Sequence, residues 1–205
     1  LLEFFKSYQA EPAAQCMQLV FIEEPEAHLH PQMQEVFIRQ LSAVVGIFAK
    51  TFEHSLPWPV HFVVTTHSSH VANAAPFPAI RYFLTRSKGG AATTCETVVK
   101  DLSKGLSEVP EHDRNFLHKY MTLTRCDLMF ADKALLIEGA AERLLLPEMI
   151  RKVDAERGEK EPKLSTQYLS VVEVGGAYAH LFFDLLKFLE LRTLVITDID
   201  SAGDD

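Results

Sequence analysis

Apolar and polar positions alternate between two periods along this chain, and the changes of period mark its elements. Residues 2 to 16 repeat apolar positions at helical spacing. Gln18-Leu19-Val20-Phe21-Ile22-Glu23 is a short apolar run ending in acid, which predicts a buried strand. Pro31 to Phe52 is long and mixed, with Pro31 suited to a first helical turn, and Pro57-Trp58-Pro59 breaks the pattern. Val60 to Thr65 predicts a second buried strand. Ile80 to Leu84 and Thr93 to Lys100 flank Lys88-Gly89-Gly90, a hairpin signal. Pro110 to about Phe130 predicts a polar-rich helical connector.

A stricter alternation follows. Strand Lys133 to Glu138 precedes helix Ala141 to about Arg157, and strand Tyr168 to Val174 follows the charged loop 157–163. Gly175-Gly176 then turns into helix Tyr178 to Leu189, and strand Arg192 to Thr197 ends at Asp198. Strand, helix, strand, helix, strand predicts a parallel sheet covered by helices, an α/β architecture. The sequence stops seven residues past Asp198, where a parallel sheet normally continues. The expectation is an internal fragment of a longer protein.

Composition narrows the function. With 205 residues, 47% apolar and 23% charged, the chain is globular rather than disordered. No apolar run reaches the roughly 18 residues of a membrane span, and the first residues lack the features of a signal peptide. Cys16, Cys95 and Cys126 are odd in number and widely spaced, which fits a reducing cytoplasm better than disulfides or a zinc site. The net charge of −8 argues against binding nucleic acid by simple phosphate neutralisation. It leaves open a metal-dependent nuclease, whose carboxylates hold cations.

Two acidic constellations carry chemistry. In the first, Glu23 and Glu24 end the Leu19 to Ile22 strand, at the sheet edge where α/β proteins bind ligands. An NTPase needs an acid there for Mg²⁺ and a second to orient the attacking water. Glu26-Ala27-His28-Leu29-His30-Pro31 resembles the stretch after the Walker B motif of ABC-type ATPases of the chromosome-maintenance and repair group. About 40 residues on, Val63-Val64-Thr65-Thr66-His67-Ser68-Ser69 resembles their next strand and switch histidine, so His67 would meet a γ-phosphate. Glu23 departs from the pattern, because most such ATPases carry Asp there. His28, His30, His67 and His70 also have spacings found in metal sites, but each has a place in the ATPase pattern and no cysteine is near. His28 and His30 are expected to be structural or to contact nucleotide across a dimer interface. The chain contains neither a GxxxxGK[ST] phosphate loop nor a Leu-Ser-Gly-Gly-type signature. Residues 1–105 are therefore expected to be the C-terminal half of an ATPase domain.

In the second constellation, Glu138 ends a strand and Glu142 follows one helical turn later. Sixty positions downstream of Glu138, Asp198 and Asp200 end another strand. Parallel strands bring their carboxyl ends together, so these four acids are expected to converge. Such a cluster is stabilised when Mg²⁺ or Mn²⁺ occupies it, and a two-metal site suits phosphodiester cleavage. Glu-Gly after one strand, Gly-Gly after the next and Asp-x-Asp after the third resembles a Toprim domain over residues 131–205. The resemblance implies Glu138 as metal ligand and general acid/base, Asp198 and Asp200 as metal ligands, and Glu142 as the additional metal-binding acid of one Toprim nuclease group. Asp204 and Asp205 are weaker candidates.

An ATPase half (1–105), a connector (106–130) and a truncated Toprim domain (131–205) together resemble the overcoming-lysogenization-defect (OLD) family of endonucleases. The runs Phe130 to Gly139 with Glu142, Leu145 and Pro147, and Glu23 to Pro31, carry that resemblance. It implies a homodimer formed through the ATPase region, ATP-linked control in the full-length protein, and Mg²⁺- or Mn²⁺-dependent cleavage of DNA in phage defence or repair. Two other readings share these residues: an ATP-gated regulatory or scaffolding protein with a silent Toprim domain, and a primase-like nucleotidyl transferase.

Overall fold

The computed structural model describes residues 1–11, 17–52, 57–88, 94–124, 127–158 and 160–198. Cys16, Cys126, the Gly89-Gly90 turn, Asp200, Asp204 and Asp205 lie outside the described residues. The chain folds as two compact units, the first Leu1–Pro76 and the second from Phe77 onward.

The first unit is built on one parallel strand pair. Helix α1 (Leu2–Ala10) precedes β1 (Gln18–Glu23), and α2 (Pro31–Thr51) crosses over to β2 (Val60–Thr65). β1 and β2 run in register from Gln18↔Val60 to Glu23↔Thr65. Parallel neighbours need such a crossover, and a helix with Pro31 in its first turn supplies it. Phe5, Tyr8 and Trp58 form the core, with Val45, Phe48 and Val60 packed against them. The Trp58 ring meets Phe5 edge-on at 5.4 Å, and its Nε1–H donates to Gln18 Oε1 at 2.8 Å. Helix α3 (Ser69–Ala74) follows, capped by Ser68, whose Oγ accepts the His70 N–H at 3.2 Å.

The two strands are less buried than their apolar runs predict. Only Val20 is buried in β1, while Phe21 is 72% and Leu19 52% exposed. Side chains alternate across a strand, so one face packs inward and the other, with Leu19, Phe21 and Val63, is bare. A continuous apolar run records what a strand is able to bury, not what it buries here.

The second unit opens with the antiparallel hairpin β3 (Arg81–Lys88) and β4 (Thr94–Asp101). Short helix α4 (Leu102–Gly105) starts at Asp101, whose Oδ1 accepts the N–H groups of Ser103 and Lys104. Helix α5 (Glu111–Thr124) then leads to the parallel sheet β5 (Lys133–Ile137), β6 (Leu169–Glu173) and β7 (Arg192–Ile196), in the order β6-β5-β7. Helix α6 (Ala140–Glu156) links β5 to β6. The predicted single helix after Gly175 is two pieces: a 3₁₀ stretch, Gly176–Phe182, then α7 (Phe183–Leu189). Gly175, at φ 59°, accepts the Tyr178 N–H at 3.0 Å, and this three-residue closure starts the tighter helix. Leu136, Ile137, Leu117, Met121, Phe182, Leu185 and Leu189 are fully buried, so central strand β5 lies inside this core.

The turn between α7 and β7 is held by the hairpin. Glu190, left-handed at φ 59°, receives both Arg86 from β3 and Lys100 from β4, the latter at 2.6 Å. Those cations push the Glu190 carboxyl down to about 2.

Candidate active sites at two strand ends

The first site lies where β1 and β2 end side by side. Glu23 pairs in register with Thr65, and the Glu24 N–H donates to Thr65 O at 3.0 Å and to Thr65 Oγ1 at 3.3 Å. Glu24 then turns left-handed, at φ 41° and ψ 56°. Non-glycine residues seldom adopt this conformation, and it is held here by the backbone bonds to β2. The turn brings Glu24 Oε1 to 3.2 Å from His67 Nε2. The acid and the histidine singled out from sequence are thus in contact, with 47% and 82% of their side chains exposed.

Glu26, inside the same motif but given no role by its sequence, is a third member of this site. It lies in the 3₁₀ turn Pro25–His28, and its Oε1 accepts both Thr66 Oγ1–H and His67 N–H at 2.7 Å. Burial raises its pKa, but the Thr66 hydroxyl and the neighbouring backbone N–H groups outweigh that and hold the carboxyl below its ordinary range. Gln34 from α2 closes the network, accepting Ser68 Oγ–H at 2.6 Å and donating to Leu29 O at 2.9 Å. The sequence signal for Glu26 is its place three residues past Glu23, opposite a Thr-His-Ser run. His28 and His30 are exposed, and His70 Nδ1 lies 3.5 Å from Glu35 Oε1. Among the described residues no three His, Cys, Asp or Glu side chains gather as a metal site, the histidines included.

The second site lies at the ends of β5 and β7. Ile137 pairs with Ile196, so Glu138 and Asp198 follow on adjacent parallel strands. Glu138 Oε2 accepts the Asp198 N–H at 3.0 Å, and Glu138 O accepts the Gly175 N–H at 3.1 Å. Glu142 stands at the start of the helix that follows β5. It is the third residue of α6, and its Oε2 accepts the Gly139 N–H at 2.8 Å, capping the helix. One of its oxygens is thereby committed to the backbone. Asp200 lies outside the described residues.

The donors at this edge are carboxylate oxygens, which suit a hard divalent cation. Among the described residues no lysine or arginine pairs with Glu138, Glu142 or Asp198. The nearby Arg143 is taken up by Glu173 and by Val171 O at 3.0 Å. Together with Tyr120, whose hydroxyl donates to Glu173 O, it covers the outer edge of β6.

Comparisons with known proteins match these two regions separately. Residues 129–200 match the family described as overcoming lysogenization defect protein-like, TOPRIM domain. Residues 2–72 match the AAA ATPase domain family. "Endonuclease GajA" of Bacillus cereus strain HuB5-5 is 28% identical over 211 residues, covering 100% of this chain and 29% of its own length. "OLD nuclease" of Thermus scotoductus is 28% identical over 182 residues, covering 88% of this chain and 30% of its own length. The chain thus spans less than a third of either relative. One α/β chain thus joins a region similar to the AAA ATPase domain family to a region similar to the OLD-like TOPRIM family.

Proposed function

We propose that this chain is part of an ATP-regulated, divalent-metal-dependent DNA endonuclease, with its cleavage site in residues 131–205. One observation carries the reading: Glu138 and Asp198 meet at adjacent strand ends, with a carboxylate-to-N–H contact of 3.0 Å and no cationic side chain beside them among the described residues. The bond to the Asp198 backbone holds the Glu138 carboxylate at the edge where Asp198 begins, and a divalent cation is the natural counter-charge for acids gathered there. Bound Mg²⁺ or Mn²⁺ would activate water and stabilise charge on the leaving oxygen. The chain's part is to hold the ligands. Glu138 does so from the end of buried strand β5 and Asp198 from the end of the more exposed β7, Asp200 extends the set, and Glu142 keeps Oε1 for the cation while Oε2 holds Gly139. Glu138 also serves as general acid/base, taking a proton from the attacking water or giving one to the leaving sugar oxygen.

In the same reading residues 1–105 are the C-terminal part of an ATPase domain and 106–130 a connector. Glu24 orients the attacking water, His67 contacts the γ-phosphate and Glu23 stands by Mg²⁺. The phosphate loop that completes this site is not in residues 1–205. The protein acts in the cytoplasm as a homodimer through the ATPase region, where His28 and His30 are exposed, in phage defence or DNA repair. Among the described residues no helix is long and apolar enough to cross a membrane.

A second reading, an ATP-gated regulator with a silent Toprim domain, is favoured by the commitment of Glu142 to Gly139. Cleavage of supercoiled plasmid separates the two. The full-length protein nicks plasmid with Mg²⁺ or Mn²⁺, and its Asp198→Ala variant does not. Stoichiometric Mn²⁺ binding without nicking, with or without ATP, would favour the regulator.

A further inference from the structure

Glu24 and His67 face each other across a contact that cannot hold itself. Both side chains are substantially exposed, and a polar contact so open to water contributes little. What holds His67 must therefore act on its backbone. Glu26 does: one oxygen takes the His67 N–H and the Thr66 hydroxyl, each at 2.7 Å. Thr66 Oγ1 also accepts the Ser68 N–H at 2.9 Å, so the three residues after β2 are fixed from a single carboxylate. The second Glu26 oxygen is buried and has no hydrogen-bond partner among the described residues. That oxygen is closed to solvent, while the other holds the loop.

We infer that Glu26 is a positioning residue for ATP hydrolysis, setting His67 opposite Glu24 through Thr66 and the His67 backbone. The inference rests on the ATPase reading above. Glu26 touches no reacting atom. It makes the turn after β1 and the loop after β2 move as one body, so that the acid and the histidine keep their spacing.

The test uses the full-length protein that carries this chain. Glu26→Ala lowers kcat for ATP hydrolysis by up to about 100-fold, the effect of a misplacement near 1 Å, and leaves the KM for ATP within about threefold. Glu26→Gln, whose carbonyl oxygen can accept both hydrogen bonds, keeps at least about half of kcat, and Thr66→Val falls between them. Equal losses in the Ala and Gln variants, or an unchanged kcat in Glu26→Ala, would overturn the inference. If Glu26→Ala does not fold, Thr66→Val against Glu26→Gln decides in the same way. Hydrogen exchange at the His67 amide separates this from the ATPase reading. It rises at least about tenfold in Glu26→Ala or Thr66→Val and stays slow in Glu26→Gln. A wild type without ATP hydrolysis would defeat the ATPase reading alone, whereas unchanged His67 exchange in both loss variants would defeat the positioning.

Discussion

The two strand-end sites handle negative charge in opposite ways. Where β1 and β2 end, the protein supplies its own partners: Glu26 takes a hydroxyl and a backbone N–H, and Glu24 takes His67. Where β5 and β7 end, Glu138 takes a backbone N–H and, among the described residues, no cationic side chain, while Arg143 of α6 is turned to Glu173. The supports differ as well. Ala134 to Ile137 of β5 are all buried, whereas β1 buries Val20 alone. The first site is pre-organised by internal hydrogen bonds on a half-bare sheet. The second joins the end of a buried strand, β5, to the end of an exposed one, β7, and among the described residues its acids have no cationic partner.

Removing a ligand at the second site breaks the comparison most strongly. Glu138→Gln in the full-length protein lowers plasmid cleavage by about 1000-fold, because metal assistance is worth several kcal/mol of barrier. The fold survives, since β5 is held by Leu135, Leu136 and Ile137. Metal itself sharpens the contrast. Mn²⁺ at about 100 times its Kd raises the stability of the TOPRIM region by about 2.7 kcal/mol, read as a thermal shift that Asp198→Ala loses.

Two smaller predictions concern the frame behind the second site. A Cβ on Gly105 would collide with the ring of Phe188 in α7, so Gly105→Ala forces that ring aside. It destabilises by about 1 to 3 kcal/mol, measured by denaturant unfolding. Glu190 gives a pH signature. Its carboxyl is lowered from 4.5 to about 2 by Arg86 and Lys100. A depressed folded pKa gives stability that is complete above the unfolded value and fades as pH falls through the folded one. Melting temperature against pH should therefore lose a component between about 4.5 and 2, and Glu190→Gln should lack it. The effect is small because the ion pairs are exposed to solvent.

Much of this was legible in the chain. Strands β1, β2, β5, β6 and β7 and helices α2 and α6 stand within a residue or two of their predicted bounds, because each is a sustained run with its own stop signal. The α/β class followed from their alternation. Parallel pairing alone brings residues after Ile137 and Ile196 to one edge, so the meeting of Glu138 and Asp198 was foreseeable. Contacts between distant side chains were not. Glu26 reaches Thr66 across 40 positions and Arg86 reaches Glu190 across 104, and no periodicity encodes either. Glu142 shows a different limit. An acid at the third position of a helix fits both a cap and a metal ligand, and the structure gives one of its oxygens to the cap. The 3₁₀ start after Gly175 and the bare face of β1 escaped for related reasons: both depend on what packs against the segment rather than on its own pattern.

The most direct test of separate sites measures both activities in two variants of the full-length protein, Asp198→Ala and Glu24→Gln. The account predicts a crossed result. Asp198→Ala loses metal-dependent plasmid cleavage and keeps ATP hydrolysis, while Glu24→Gln loses ATP hydrolysis and keeps metal-dependent cleavage in a single-turnover assay. Loss of both activities together in either variant, with the fold intact by circular dichroism, would contradict it.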